Sequence, residues 1–357
     1  MKKALYKILL IFNLLCVAAL LLSYLATHIS PARFALPAYF GLAYPYLLLL
    51  NILMVIIWAV RLKFEAFISI AVIIIGINHF SNYINLSKSK GDKSDSFTVL
   101  SYNVHLFNLY ESKNAQSSEN DIMKLLREED ADIICLQEVF ILGDVAAKER
   151  TIRTALGGKY TSYLKTYKRS NNRAFGVMIL SKYPIVERGE IVYPESSSLT
   201  IYADILIDKD TFRIYNSHLQ SFNLGSLEKT LFEEIIRDEE KMNKVKELWV
   251  SLKKGFVKRS LQVKTLKEHI NASKYPVIVT GDFNDTPVSY AYRNIRKGLN
   301  DSFVNSGQGA GFTYRGNYPP NRIDYILYDK MITNSHFEII KAKYSDHYPI
   351  MAWFKKN

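Results

Sequence analysis

Three apolar runs dominate the first quarter of the chain: Leu5 to Leu25, Leu36 to Val60 and Phe64 to Tyr83. A helix needs about 20 apolar residues to cross the hydrocarbon core of a bilayer. The pattern therefore predicts three membrane-spanning helices within residues 1–84, at about 5–25, 36–60 and 64–83. Asn78 and His79 would put the end of the third at an interface. The first run, preceded by Lys2 and Lys3, also fits a secretory signal peptide. No small-residue cleavage site follows it cleanly and two more apolar runs come directly after, which favours three uncleaved helices. The polar stretch SKSKGDKSD that follows has no periodicity. It predicts a flexible linker over residues 85–95.

From Phe97 the pattern changes to brief β-type runs: FTVLSYNV, ADIICLQEVF, RAFGVMILSKYPIV, SLTIYADILI, TFRIYNSHL, PVIVTGDFN, RIDYILYD and YPIMAWF. Helical patterns lie between some of them, as at Asn120–Glu129. Strands with interspersed helices predict an α/β domain of packed sheets over residues 96–357. A helical insertion is expected at 223–270, where Val245, Leu248, Trp249, Leu252 and Phe256 recur at helical spacing. Its first half is acidic (Glu228, Glu233, Glu234, Asp238, Glu239, Glu240). Its second half is basic (Lys241, Lys244, Lys246, Lys253, Lys254, Lys258, Arg259, Lys264, Lys267). Three readings fit: helices packed on the domain with a solvated charged face, a basic element lying on anionic lipid, or a clamp on a nucleic-acid backbone.

Charge adds an orientation. The chain carries a net +12, and its first 84 residues hold Lys2, Lys3, Lys7, Arg33, Arg61 and Lys63 against Glu65 alone. A basic balance suits phosphate-bearing partners or an anionic membrane. Lys2, Lys3 and Lys7 precede or open the first span, while Arg61 and Lys63 fill the turn between the second and third. The positive-inside rule puts both clusters in the cytoplasm. Three crossings then predict a multi-pass protein of a bacterial-type inner or cell membrane, with the α/β domain on the extracytoplasmic side. Cys16 and Cys135 are the only cysteines and offer no disulfide framework.

The chemistry sits at the strand ends. Asn103, Glu138, His218, Asp282 with Asn284, Asp324, and Asp346 with His347 all close or open an apolar run. Aligned strands would gather these groups at one edge of the sheets. Carboxylate and amide oxygens so gathered favour a hard cation such as Mg²⁺ or Mn²⁺. Asp282 and Asn284, two apart on an extended chain, project to the same side and Phe283 to the core. Asp285 and Thr286 are expected to begin the turn that Pro287 favours.

The motifs LSYNVHLF, ICLQEVF, YNSHLQ, GDFNDTP, NRIDYIL and SDHYPI, in this order, resemble the series of the endonuclease/exonuclease/phosphatase superfamily. That is the fold of deoxyribonuclease I, abasic-site endonucleases, inositol-polyphosphate 5-phosphatases and bacterial sphingomyelinases. The resemblance covers about residues 96–357 and implies a four-layer α/β/β/α sandwich. It implies that Glu138 is the principal metal ligand, with Asn103 binding or orienting metal and phosphate. Asp282 and Asn284 would take a proton from water and align it. His218 would contact the scissile phosphate, with Asn216 assisting. Asp324 and His347 would form a dyad, leaving Asp346 for metal or for the water. Arg322 reads equally as a phosphate clamp or a surface arginine. The function implied is a membrane-anchored, Mg²⁺- or Mn²⁺-dependent phosphoric ester hydrolase, nuclease-like, with a lipid-headgroup phosphodiesterase as the alternative. The partners expected are a nucleic acid or phospholipid headgroup and the lipid bilayer, with no obligate protein partner.

Overall fold

The computed structural model describes residues 2–86, 91–108, 115–170, 172–194, 196, 198–222, 239–316 and 320–355. These fall into two compact units, one of residues 1–83, 222–261 and 285–294, the other of 84–221, 262–284 and 295–357.

The second unit is an α/β fold with two mixed six-stranded sheets. Its chain opens with a two-residue strand, β1 (Ile84–Asn85), paired with β11 (Gly309–Ala310). One sheet contains β2 (Ser96–Asn103), β3 (Ile133–Leu142), β4 (Thr161–Ser170), β5 (Arg173–Ser181), β13 (Asn334–Ile339) and β14 (Ile350–Lys355), in the order β13-β14-β2-β3-β5-β4. The other contains β6 (Ile185–Val192), β7 (Leu199–Ile207), β8 (Asp210–His218), β9 (Val277–Asp282), β10 (Leu299–Asp301) and β12 (Asp324–Asp329), in the order β10-β12-β9-β8-β7-β6. The pairs β2–β3 and β8–β9 are parallel.

Alternation along each strand decides which side chains go where. Phe97, Val99, Ile133 and Cys135 of the first sheet meet Ile201, Ala203, Ile214, Ile278 and Ile326 of the second in one buried core. Their neighbours Leu100, Tyr102, Ile134 and Leu136 point the opposite way, under α6 (Ala115–Glu129) and α7 (Val145–Ala155), where Ile122, Leu126 and Ile152 cover them. On the outer face of the second sheet, Tyr202 and Tyr215 lie 4.9 and 5.6 Å from the ring of His269. His269 belongs to the long helix Glu239–Asn271. Both sheets thus carry helices outside and share one core inside. All eight apolar runs read from Phe97 onward lie in or across strands, and the helix read at Asn120–Glu129 lies within α6. Of the expected linker, residues 87–90 lie outside the described residues; Asn85 Nδ2 donates to the carbonyls of Phe303 and Val304, and Lys355 Nζ to Asp92 at 2.7 Å.

The first unit departs from the three uniform spans expected. Among its described residues only α1 (Lys2–Leu25) holds an uninterrupted stretch, Lys3–Leu25, long and apolar enough to cross a membrane. The second run is bent by 71° between α2 (Leu36–Leu42) and α3 (Tyr44–Val60), so the count rises to two only if that pair is one span. The third divides at Gly76 into α4 (Ala66–Ile75) and α5 (Ile77–Ser81). Asn13 Oδ1 accepts from Ser69 Oγ at 2.7 Å, and Asn51 Nδ2 donates to the Cys16 carbonyl at 3.0 Å. These bonds satisfy Asn13 Oδ1 and Asn51 Nδ2 between the helices. Large apolar side chains such as Ile8, Leu15, Leu49 and Ile74 face outward, each more than 60 % exposed.

Of the stretch read as a helical insertion, residues 239–270 lie in the helix Glu239–Asn271, α8, and residues 223–238 lie outside the described ones. Its first part belongs to the first unit, where Tyr39 packs 4.2 Å from Trp249 and 5.3 Å from Phe256. Only Phe256 of the five predicted apolar positions is fully buried, and Val245 and Trp249 are exposed.

Candidate active site

Strand register gathers the polar groups. In the second sheet His218 of β8 stands opposite Asp282 of β9, and Asp282 opposite Asp324 of β12. In the first sheet Asn103 ends β2 beside Gln137, the residue before Glu138. The two sets meet through Asn103, whose Nδ2 donates to Asp282 Oδ2 at 3.0 Å and to Glu138 Oε1 at 3.2 Å. Glu138 is turned into the site by a register irregularity between Leu136 and Val139, and its own φ is +55°.

Asp282 is buried and surrounded by donors. Its Oδ1 accepts from the Asn284 backbone at 2.7 Å and its Oδ2 from Asn284 Nδ2 at 3.2 Å, while that same Nδ2 donates to the Leu219 carbonyl at 3.0 Å. The expectation that an extended chain aligns the two side chains is corrected here. Asn284 is left-handed, with φ +52°, and the turn folds its amide back onto Asp282. Phe283 goes to the core as expected, stacked 4.8 Å from Tyr325.

His347 Nδ1 lies 2.9 Å from Asp324 Oδ2, and its Nε2 is 3.8 Å from Asp282 Oδ2 and 4.0 Å from Asp346 Oδ1. Burial alone would lower the imidazole pKa, but Asp324, Asp282 and Asp346 together raise it well above its ordinary value. Burial raises Asp282, with Asp324 adding to it and His347 and His218 opposing. For Glu138 burial again favours the neutral acid, yet His218, His105 and Asn103 outweigh it and hold the carboxyl near 2. The surroundings thus favour the charged forms of both Glu138 and His347.

His218 lies with Nε2 3.3 Å from Glu138 Oε1. The approach lacks the alignment of a hydrogen bond, and neither buried ring nitrogen has a well-aligned partner. Burial opposes its charge, and Glu138 and Asp282 overcome this and raise its pKa.

Two residues expected at the site are used elsewhere. Asn216 Nδ2 donates to the carbonyls of Leu136 and Met178, at 2.9 and 2.8 Å, and its Oδ1 accepts from Gln137 Nε2 at 2.7 Å. Its amide ties the two sheets together inside the core. Arg322 is neither a surface residue nor a member of the cluster. It is buried, its Nη2 bonds Asp301 Oδ2 at 2.7 Å, and it lies over Phe303 and Tyr325.

Three residues join the site without having been read from the sequence. His105 Nδ1 is 3.5 Å from Asp346 Oδ1, and its backbone N–H donates to Asn103 Oδ1 at 2.9 Å. Ser345 Oγ donates to the Asn103 carbonyl at 2.8 Å and lies 3.2 Å from Asp346 Oδ1. The ring of Tyr167 on β4 is 5.7 Å from His218. His105 follows the motif SYNV directly, and a histidine beside a strand-end asparagine was the available signal.

The donor set fits a divalent cation. Ligand atoms of Glu138, His218 and Asp282 lie within 4.8 Å of one another, as do those of Asp282, Asp324 and His347. Carboxylate and amide oxygens gathered in this way match such an ion.

A two-sheet α/β fold with carboxylate, amide and imidazole groups meeting at its strand ends has the build of a phosphoester hydrolase. The chain belongs to the endonuclease/exonuclease/phosphatase family, whose model matches residues 100–347. Members of this family hydrolyse phosphoesters and generally use divalent metals. Residues 6–83 match the model of a domain of unknown function. No curated protein matches the chain. Among solved structures the chain is similar to the mannosyl-6-phosphatase of Bacteroides thetaiotaomicron VPI-5482, at 18% identity and TM-score 0.53, over 73% of this chain and 100% of that one. It is similar to the human Nocturnin catalytic domain with bound sulfate, at 18% and 0.53, over 73% and 94%. It is also similar to a humanized D. rerio TDP2, at 17% and 0.53, over 74% and 100%. At these identities the likeness is one of fold.

Proposed function

We propose that the chain is a membrane-anchored hydrolase that cleaves a phosphodiester by attack of water, with Mg²⁺ or Mn²⁺ as cofactor. The observation that carries this reading is the junction at Asn103, which brings Glu138 of one sheet to Asp282 of the other. Glu138 and Asn103 would hold the cation, with Asp346 close by through His105 and His347. Bound there, a divalent cation supplies charge neutralisation on the phosphoryl and leaving oxygens.

The protein groups do the rest. Asp282, fixed by the two bonds from Asn284 and one from Asn103, accepts the proton of the attacking water. Asp324 accepts from His347 Nδ1 and so leaves Nε2 directed at the substrate side, where its cationic form stabilises charge gathering on the phosphoryl group. His218 presents its unpartnered nitrogens to the same group. Water then attacks in line, opposite the leaving oxygen.

A nuclease-like phosphodiesterase is the main reading. A lipid-headgroup phosphodiesterase is the second, favoured by the apolar helices of residues 2–81 and the exposed Trp249 and lysines of α8. The test is hydrolysis by the full chain in nanodiscs of DNA, RNA, sphingomyelin, phosphoinositides and bis(p-nitrophenyl) phosphate. Cleavage of at least one is expected with Mg²⁺ or Mn²⁺ and not in excess chelator. Full activity in chelator would remove the cation from the reaction.

A further inference from the structure

Asn284 lies between two residues anchored in different ways. Upstream, Phe283 is buried against Tyr325. Downstream, Asp285 is only 5% exposed and its Oδ2 accepts from Arg259 Nε at 3.0 Å, while its Oδ1 accepts from the Thr286 backbone at 3.0 Å. Arg259, on α8, has no exposed surface, and its guanidinium lies 4.3 Å from the Phe222 ring and 5.3 Å from that of Phe256. Two further grips follow. Thr286 Oγ1 donates to the Gly41 carbonyl at 3.4 Å. Gly41 of α2 packs so closely that a Cβ there would lie 2.3 Å from the Val288 carbonyl oxygen and 2.7 Å from Ala26 Cβ. Residues 285–294, α2 and the first part of α8 all belong to the compact unit that contains the N-terminal helices.

Resting on the proposed reaction, we infer that Arg259 is a positioning residue: by holding Asp285 it fixes Asn284, and through Asn284 the carboxylate of Asp282. Gly41 grips the same downstream segment, at Thr286 and Val288. The physical case is that a buried carboxylate stripped of its cation must move or be neutralised. Asp285 is one peptide bond from Asn284, so its displacement is passed directly to the left-handed turn. A shift of about 1 Å in a catalytic group is enough to slow a reaction on the order of a hundredfold.

The full chain in nanodiscs tests this with Arg259→Met, Arg259→Lys, Asp285→Asn and Gly41→Ala. On bis(p-nitrophenyl) phosphate with Mg²⁺, kcat is expected to fall by about tenfold to a hundredfold in Arg259→Met and Asp285→Asn. KM and Mg²⁺ affinity should stay within about twofold, Arg259→Lys should recover part of the loss, and Gly41→Ala should show a smaller loss with the same split. Amide hydrogen exchange is measured in parallel, and faster exchange is expected across 281–286 with β2 and β3 unchanged. A folded Arg259→Met with wild-type kcat and wild-type exchange overturns the inference. If Arg259→Met does not fold, wild-type values in both Arg259→Lys and Gly41→Ala overturn it. A wild-type chain inactive on every phosphoester instead refutes the proposed reaction, and the exchange measurement still decides whether Arg259 and Gly41 hold the loop.

Discussion

Glu138 and His347 illustrate how single residues divide the chemistry. His218, His105 and Asn103 hold the Glu138 carboxyl well below its ordinary pKa, and a register irregularity with a left-handed φ of its own turns it into the site. Three carboxylates facing His347 raise its pKa well above the ordinary value. Glu138→Gln keeps the shape and removes the charge, so it is expected to weaken Mg²⁺ binding. His347→Ala is expected to lower kcat by a factor on the order of a hundred or more while Mg²⁺ binding is largely kept. Calorimetric titration with Mg²⁺ checks both, and equal loss of binding in the two variants would reject this division of roles. At this scale the sequence spoke through residue type and strand-end position. Asn103, Glu138, His218, Asp282, Asn284, Asp324, Asp346 and His347 all lie at or beside one cluster. Asn216 and Arg322 share those signals but are spent on core bonds, to Gln137 and Asp301 respectively. Nothing in a one-dimensional pattern shows whether a polar side chain near a strand end meets solvent or another strand. His105 was hidden for a related reason, since it sits in a left-handed turn running from His105 to Asn108 that no periodicity announces.

The strands that were readable are those with continuous apolar runs, buried on both faces between core and helices. β4, β6 and β13 lie at the sheet edges and carry polar or charged residues along one face, so their alternation was weaker. α8 shows the same limit in a helix. Its spacing predicted an apolar stripe, yet the burial divides differently: Phe256 and Arg259 face inward, while Val245, Trp249, Val250 and Leu261 are 40–57% exposed. Lys246, Lys253 and Lys254 are exposed among them. A helix surface of this kind suits the headgroup region of an anionic bilayer, where each lysine contributes about 1 kcal/mol. A spin label on Val250→Cys is readily placed because Cys16 and Cys135 are both buried. In nanodiscs of phosphatidylglycerol its exposure to a water-soluble relaxation agent is expected to be lower than in phosphatidylcholine. Exchanging Lys246, Lys253 and Lys254 for Glu should abolish the difference. Arg259, which the sequence alone would add to that set, is excluded because it is buried against Asp285. Equal exposure in both lipids would make this face a solvated surface.

At the scale of the whole molecule, if α1 crosses a membrane, the contacts within the first unit set which side the chain after residue 83 would face. At one end Tyr6 of α1 packs 5.6 Å from Trp58 near the end of α3, and its hydroxyl donates to the Glu65 carboxylate. Lys2 and Lys3 therefore lie at the same end as Arg61 and Lys63. At the other end Tyr24 donates to the Val72 carbonyl at 3.0 Å and stacks 5.0 Å from His79, while Tyr44 stacks 5.6 Å from Tyr83. The path from Glu65 to Tyr83 thus runs the length of α1, even though α4 and α5 are short and divided by Gly76. If the basic end is cytoplasmic, residue 83 emerges on the opposite side and carries the catalytic residues with it. A single crossing by α1 alone gives the same side, whereas two crossings reverse it. A reporter fused after Asn357 distinguishes them: alkaline phosphatase activity, which needs an oxidising compartment, is expected, with no fluorescence from a cytoplasm-dependent fluorescent protein at the same position. The reverse pattern would mean that residues 64–83 return without crossing, and that the enzyme meets its phosphoester in the cytoplasm.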